Sequence, residues 1–251
     1  MTARIPVLVL ALAAVSLIPL RAANAESQSQ NARPPAPPAM TAEDRGDLLM
    51  ARQEYLAAID AYRQAPVSAE TLNKLGIAYH HLFALDEARK DYQKALLIRP
   101  NYPEAINNLG AADFAKGHYK QSIGLYRKAL RLMPNSAVIA ANLGTAYFAA
   151  GKYQSGLEAY QNAFRLDPSV FAGDGSQIIQ GPSSMHDRAR QDYCIAELFA
   201  ESGDQAHALE YLRRALNDGF RDRNRLAKDA DFAQLRTTAA FAQLMAEEKI
   251  Q

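Results

Sequence analysis

Pro100, Pro134 and Pro168 stand 34 residues apart, and the same pattern precedes each of them: NKLGIAY, NNLGAAD or ANLGTAY, then a Tyr, an Ala and the Pro. A fixed period of this length marks a chain built from stacked supersecondary units rather than one closed core. Within each unit Leu75, Leu109 and Leu143 sit beside Gly76, Gly110 and Gly144 on a first helical segment. A glycine there is expected to let the backbone of a second helix approach. The second segment carries Ala88, Ser122 and Gly156, then Tyr92, Tyr126 and Tyr160, then Ala95, Ala129 and Ala163. Offsets of four and three put these on one helical face. Each proline then ends the segment, because it lacks an amide hydrogen and disfavours helical geometry in the residue before it.

Leu-Gly, Tyr, Ala, Tyr, Ala and Pro at these offsets resemble the tetratricopeptide repeat (TPR), with Tyr at the usual Phe position. The resemblance covers three consecutive full-length units, 69–102, 103–136 and 137–170. It implies an all-α fold, a right-handed α-solenoid of antiparallel helix pairs. One departure is Asp113, which stands where the neighbours have Tyr79 and Tyr147, with Phe114 beside it as a compensating apolar residue.

Weaker copies flank the three. Tyr55, Ala58, Tyr62 and Ala65 repeat the second-helix spacing and Gly46 takes the Leu-Gly place, which gives a truncated unit over 39–68 cut short by Pro66. Downstream, Ile195, Ala196, Phe199, Gly203, Ala208, Leu212 and Ala215 fit the grid over 189–222, with Gly219-Phe220 replacing the terminal proline. Terminal repeats of a solenoid commonly deviate, because one face lacks a neighbour. Residues 223–251 read as a C-terminal cap. The segment 230–236 (ADFAQLR) recurs loosely as 239–245 (AAFAQLM), and each predicts a short amphipathic helix with Phe and Leu at i, i+3. Between the units 137–170 and 189–222, residues 171–188 are an irregular insertion rich in Gly and Ser around Ile178-Ile179, expected to act as an elbow or as an apolar hook for a partner.

The N-terminus differs in kind. Arg4, an apolar run from Ile5 to Leu20, and Ala23-Asn24-Ala25 predict a signal peptide over 1–25, cleaved before Glu26. The alternative is an uncleaved anchor, for which that run is short. Residues 26–40, with Pro34, Pro35, Pro37 and Pro38, read as a Pro-rich linker. The expected destination is the periplasm or the exterior. Cleavage removes Arg4 and Arg21 and no acid, leaving 26 bases against 27 acids. That balance argues against nucleic-acid binding, and no further apolar stretch predicts a membrane span.

Catalytic and metal-binding patterns are missing from the sequence. There is no phosphate-binding Gly loop, no His-Glu-x-x-His and no Gly-x-Ser-x-Gly, so neither an enzyme nor a cofactor is expected. Cys194 is the single cysteine and reads as a buried apolar residue. His80-His81 reads as a solvated helix end, and Asp86 and Glu87 as solvated charge.

Function therefore falls to the surface, as a scaffold binding a protein or peptide segment. The resemblance places a concave groove along the first helices, lined by Asn73, Lys74, Ile77 and His80, then Asn107, Asn108, Ala111 and Phe114, then Asn142, Thr145 and Phe148, and finally Tyr193, Cys194 and Glu197. Asn108 and Asn142 are similar to the asparagine ladder in the TPR superhelix of O-linked N-acetylglucosamine transferases, where amides pair with an extended peptide backbone. Lys74 and Cys194 interrupt that row, and the other reading makes these asparagines ordinary repeat consensus. The basic clamp that other TPR proteins use for C-terminal carboxylates is not matched, since its places hold Asn73, Ile77, Asn108, Val138 and Asn142. An adaptor subunit of a cell-envelope or secretion complex, binding through the convex face, the insertion or the Pro-rich linker, is the alternative. The irregular places, Pro66 and Gly219, are further candidates for function.

Overall fold

A computed structural model of the protein describes residues 39–172 and 184–247. The expected signal peptide, almost all of the Pro-rich linker and the Ile178-Ile179 hook lie outside the described residues. The described chain is helical, with no strand in it. Five antiparallel pairs follow one another: α1 (Ala42–Ala51) with α2 (Tyr55–Gln64), α3 (Ala69–His81) with α4 (Leu85–Ile98), and α5 (Pro103–Ala115) with α6 (Tyr119–Leu132). Then come α7 (Ala137–Ala149) with α8 (Tyr153–Leu166) and α9 (Met185–Glu201) with α10 (Gln205–Asn217). Two short helices, α11 (Arg223–Lys228) and α12 (Ala239–Glu247), complete the described residues. α9 starts four residues ahead of Ala189, because the Ser184 hydroxyl caps it by accepting from the Asp187 amide.

The boundaries follow local chemistry. Thr41, Ser68 and Ser136 cap α1, α3 and α7 with side-chain oxygens, and Pro103 opens α5, where a missing amide hydrogen costs nothing. α4, α6 and α8 stop at Ile98, Leu132 and Leu166, and Arg99, Met133 and Asp167 leave helical geometry ahead of each proline. Between the helices of a pair the chain turns through one left-handed residue. Gly117, Gly151 and Gly203 fill that place in three pairs, but Gln53 and Phe83 fill it in the other two, at φ 61° and 56°. Phe83 is also 81% exposed, so no packing offsets its strain. Phe83→Gly is expected to stabilise the fold by about 1 kcal/mol. Thermal melting should then shift upward by roughly 2–4 °C, and an unchanged or lower midpoint would refute the strain argument.

Packing within a pair is set by glycine under tyrosine. A Cβ on Gly46, Gly76, Gly110 or Gly144 would meet the ring of Tyr62, Tyr92, Tyr126 or Tyr160 at 2.3, 2.5, 2.9 and 2.3 Å. The glycine therefore seats an aromatic ring of the second helix, rather than mainly admitting that helix's backbone as the sequence reading had it. In the fifth pair Ala196 and Leu212, both fully buried, occupy the corresponding places, so an added Cβ is matched by a smaller partner.

Neighbouring pairs join through the second helix of one and the first helix of the next, as α2 with α3, α4 with α5 and α6 with α7. α3 also touches α5, α5 touches α7 and α7 touches α9. No contact of that extent links successive second helices among the described residues, so the first helices form the inner, shorter-radius layer of the stack. The largest core cluster lies toward the C-terminus, from Phe148 and Tyr160 through Phe199 and Leu212. Phe232, Leu235, Phe241 and Leu244 close it, all of them buried. The expected helix over 230–236 is instead a turn leading into a 3-10 helix, Leu235–Thr237. The Asp229 carboxylate accepts from the Asp231 amide, and Arg236 binds the Asp229 carbonyl at 2.6 Å, which favours turn over helix. Phe and Leu three residues apart share a face in either geometry, so the sequence spacing did not distinguish them.

Candidate functional site

The predicted groove residues occupy the first helices, but most are interior. Asn73, Ala111, Phe114, Asn142, Thr145, Phe148, Tyr193, Cys194 and Glu197 are buried, and Lys74, Ile77, His80, Asn107 and Asn108 are partly exposed. The asparagine amides are engaged with one another. Asn108 Nδ2 donates to Asn73 Oδ1 at 3.0 Å, Asn107 Nδ2 to Asn108 Oδ1 at 3.2 Å, and Asn142 Nδ2 to Asn107 Oδ1 at 3.2 Å. These bonds run from α3 through α5 to α7. They use donors and acceptors that a bound peptide backbone would otherwise take.

The other groove positions are likewise committed to packing. Lys74 bridges Glu43 and Asp47 of α1, each at 2.7 Å. The Thr145 hydroxyl lies 2.8 Å from the Tyr160 hydroxyl, and Phe114 packs against Tyr119. His81 is not simply solvated, since its ring stacks on Tyr55 at 4.6 Å, and burial lowers the pKa of His80. Asp86 pairs with Lys116 of the following pair.

Space for a ligand opens further along the inner layer. A pocket of about 520 Å³ lies between the end of α7, the start of α8, the first half of α9 and the segment 219–225. Phe148, Tyr153 and Leu157 form one side of it. Tyr193 and Phe220, stacked at 4.1 Å, form the other, with Cys194 between. Burial pushes the Cys194 thiol up to about 12, so it is an inert wall atom at neutral pH. Basic groups line the same space. Arg190 lies 4.2 Å above the Tyr153 ring and Arg225 4.7 Å above the Tyr193 ring, with His186 and Arg221 beside them. Of the predicted residues, Phe148, Tyr193 and Cys194 reach this pocket. Arg190 and Phe220 were missed, and the break in the grid at Gly219 was the one signal pointing to them.

Glu197 supports the pocket from beneath. It accepts from Arg225 at 2.6 Å, and Arg225 also faces Asp229, whose carboxylate accepts from the Tyr193 hydroxyl at 2.8 Å. Burial and a hydrogen bond with Asp229 push the Glu197 carboxyl up to about 8. Glu197, Asp229 and Asp231 lie close enough to share a cation, but Arg225 already supplies positive charge to Glu197 and Asp229.

A raised carboxyl pKa favours the folded state while both states hold the proton. The Glu197 contribution is thus fully present below about pH 4.5 and lost by about pH 8. Among the groups facing it, Arg225 opposes this shift while Asp229 reinforces it. Glu197→Gln should consequently gain stability relative to the wild type between pH 5 and 8, read from paired thermal melts. Parallel pH profiles for the two proteins would refute the assignment.

Stacked antiparallel helix pairs with a ring-on-glycine seat in each, and an inner layer of first helices, define an α-solenoid of helix-turn-helix repeats. Tetratricopeptide-repeat families match over residues 67–135 and again over 137–170. Over these residues the chain is built of tetratricopeptide repeats. Solved structures of the same fold include MamA, at 23% identity, covering 75% of this chain and 93% of that one with a TM-score of 0.50. MamA from Desulfovibrio magneticus RS-1, from residue 41 onward, aligns at 19% identity over 75% of this chain and 96% of that one, with a TM-score of 0.50. The Cut9-Hcn1 hetero-tetramer of the APC/C aligns at 18% identity over 82% of this chain and 35% of that one, with a TM-score of 0.52. These likenesses establish the fold alone. A curated relative, the heat-shock protein cognate co-chaperone sgt12 of Aspergillus fumigatus, is 33% identical over 104 residues, 40% of this chain and 30% of that protein. The present chain thus spans under a third of that relative's length. Its repeats are those of a protein-protein interaction scaffold, and no described helix is long and apolar enough to cross a membrane.

Proposed function

We propose that this protein is a non-catalytic scaffold that captures a segment of a partner protein along its inner, first-helix layer, with the pocket between α7, α8 and α9 as the principal seat. The observation that carries the reading is that pocket. It is the right size for a few side chains, within the roughly 300–1,000 Å³ of ordinary binding sites, and it combines aromatic walls with polar groups. The asparagine row supports a rigid platform beside the seat rather than a ladder for the ligand. Export is proposed as well, on the strength of Arg4, the apolar run and Ala23-Asn24-Ala25. Crosslinking of the full chain in its native cell, followed by mapping of the crosslinked residues, tests the capture reading. A partner peptide joined to residues around the pocket supports it. Crosslinks confined to the second helices would favour an adaptor docking through the convex face. The N-terminal residue of the recovered protein tests export, with Glu26 expected.

A further inference from the structure

Arginine 190 is the cation of the pocket that the fold has not used. Arg225 is held by Glu197 at 2.6 Å. The acid in the lining, Asp222, caps α11 by accepting from the Arg225 amide at 2.9 Å. Arg190 has neither a carboxylate nor a hydrogen-bond acceptor among the described residues. It is half-buried, and it lies over the Tyr153 ring, whose hydroxyl donates to Asp187 at 3.2 Å. Stacking on a held ring fixes the guanidinium plane and leaves its N–H edge for a planar acceptor. A carboxylate offers two oxygens that match that fork.

The walls select what the carboxylate is attached to. Leu157 and Phe220, both partly exposed, present apolar and aromatic surface within the same space, backed by buried Phe148 and Tyr193. A small free anion would leave that surface wet, whereas a side chain next to an acidic residue would cover it. We infer that the pocket takes an acidic peptide segment, with an Asp or Glu side chain on Arg190 and an adjacent aromatic or aliphatic side chain between Leu157 and Phe220. This inference rests on the capture reading and names the chemistry of what is captured.

The test is fluorescence anisotropy on the full chain with a labelled octapeptide alternating Glu or Asp with Phe or Leu. A second octapeptide carries Gln and Asn in place of the acids, and benzoate serves as a free carboxylate competitor. Binding of the acidic peptide is expected to weaken about tenfold or more in Arg190→Gln and with the amide peptide. Arg190→Lys should recover part of the loss, and added salt should weaken the wild-type complex. Circular dichroism melts of Arg190→Gln confirm that the variant is folded. Equal affinity for the two peptides, no effect of Arg190→Gln, or no binding of either peptide overturns the inference. Benzoate competing as well as unlabelled peptide overturns it in favour of a small-anion site. Crosslinked partner capture that persists undiminished in Arg190→Gln sinks the acidic pocket while the scaffold reading stands. Loss of partner capture in wild type sinks both.

Discussion

Gly144→Ala is expected to destabilise the protein by about 3 kcal/mol, near the upper end for an overpacked core site. The new methyl would stand 2.3 Å from the Tyr160 ring and 3.2 Å from the Gly156 carbonyl oxygen, so backbone as well as side chain is in the way. Tyr160 cannot retreat. It is 1% exposed, and its hydroxyl is held between Thr145 at 2.8 Å and Gln191 at 3.3 Å. Gly110→Ala provides a graded control, because its methyl would lie 2.9 Å from Tyr126, whose buried hydroxyl has no hydrogen-bond partner among the described residues to hold the ring in place. A smaller loss is expected there. Gly124 lies on the exposed side of α6 with nothing within 4 Å of its would-be Cβ. Gly124→Ala should therefore stabilise by about 0.5–1 kcal/mol through helix propensity alone. Urea denaturation ranks the three, and a Gly144→Ala protein as stable as wild type would rule out the ring seat as the packing determinant.

Removing Arg89 should be the other severe lesion. Its Nε lies 2.6 Å from the Asp113 carboxylate, which is 5% exposed, and the next basic group, His118 Nδ1, is 3.5 Å away. Arg89→Met leaves a buried carboxylate without its main partner, a change expected to cost about 3–5 kcal/mol. Asp113 stands where the adjoining repeats carry Tyr79 and Tyr147. Combining Arg89→Met with Asp113→Tyr removes both charges and restores the repeat pattern, so most of the loss should return. The two variants and the double change, compared in urea, form the measurement. If the double variant is no better than Arg89→Met, loss of Arg89 packing, not an orphaned carboxylate, is the cause.

The 34-residue grid made the helix pairs, their terminal prolines and the all-helical solenoid legible, because each is enforced by residues within one period. The glycine and tyrosine of each seat were legible too, but their relation was not, since periodicity gives the face a residue occupies and not the atom it meets. Asp113 shows the same limit. The sequence marks it as a departure, yet its partner Arg89 sits on the preceding pair, where a charged surface residue would look the same. The asparagine row was visible as a composition of donors and acceptors. Only the placement of α3, α5 and α7 reveals that the amides satisfy one another. The pocket was least legible, because it forms where the repeat ends irregularly, from residues 219–225 that no repeat position predicts.

The amide chain from Asn73 to Asn142 also bears on how this solenoid responds to force. Superhelices of stacked pairs flex like springs by changing the rotation between successive units, and that motion spreads or closes the first helices. Here one hydrogen bond ties α3 to α5 and one ties α5 to α7 along that edge, linked by a third within α5, and each of the two ties would cost about 1 kcal/mol to break. The spring is stiff over its middle section. Bending falls more to the stretch beyond α7, where the pocket lies and where Cys194 takes the next place in the asparagine row.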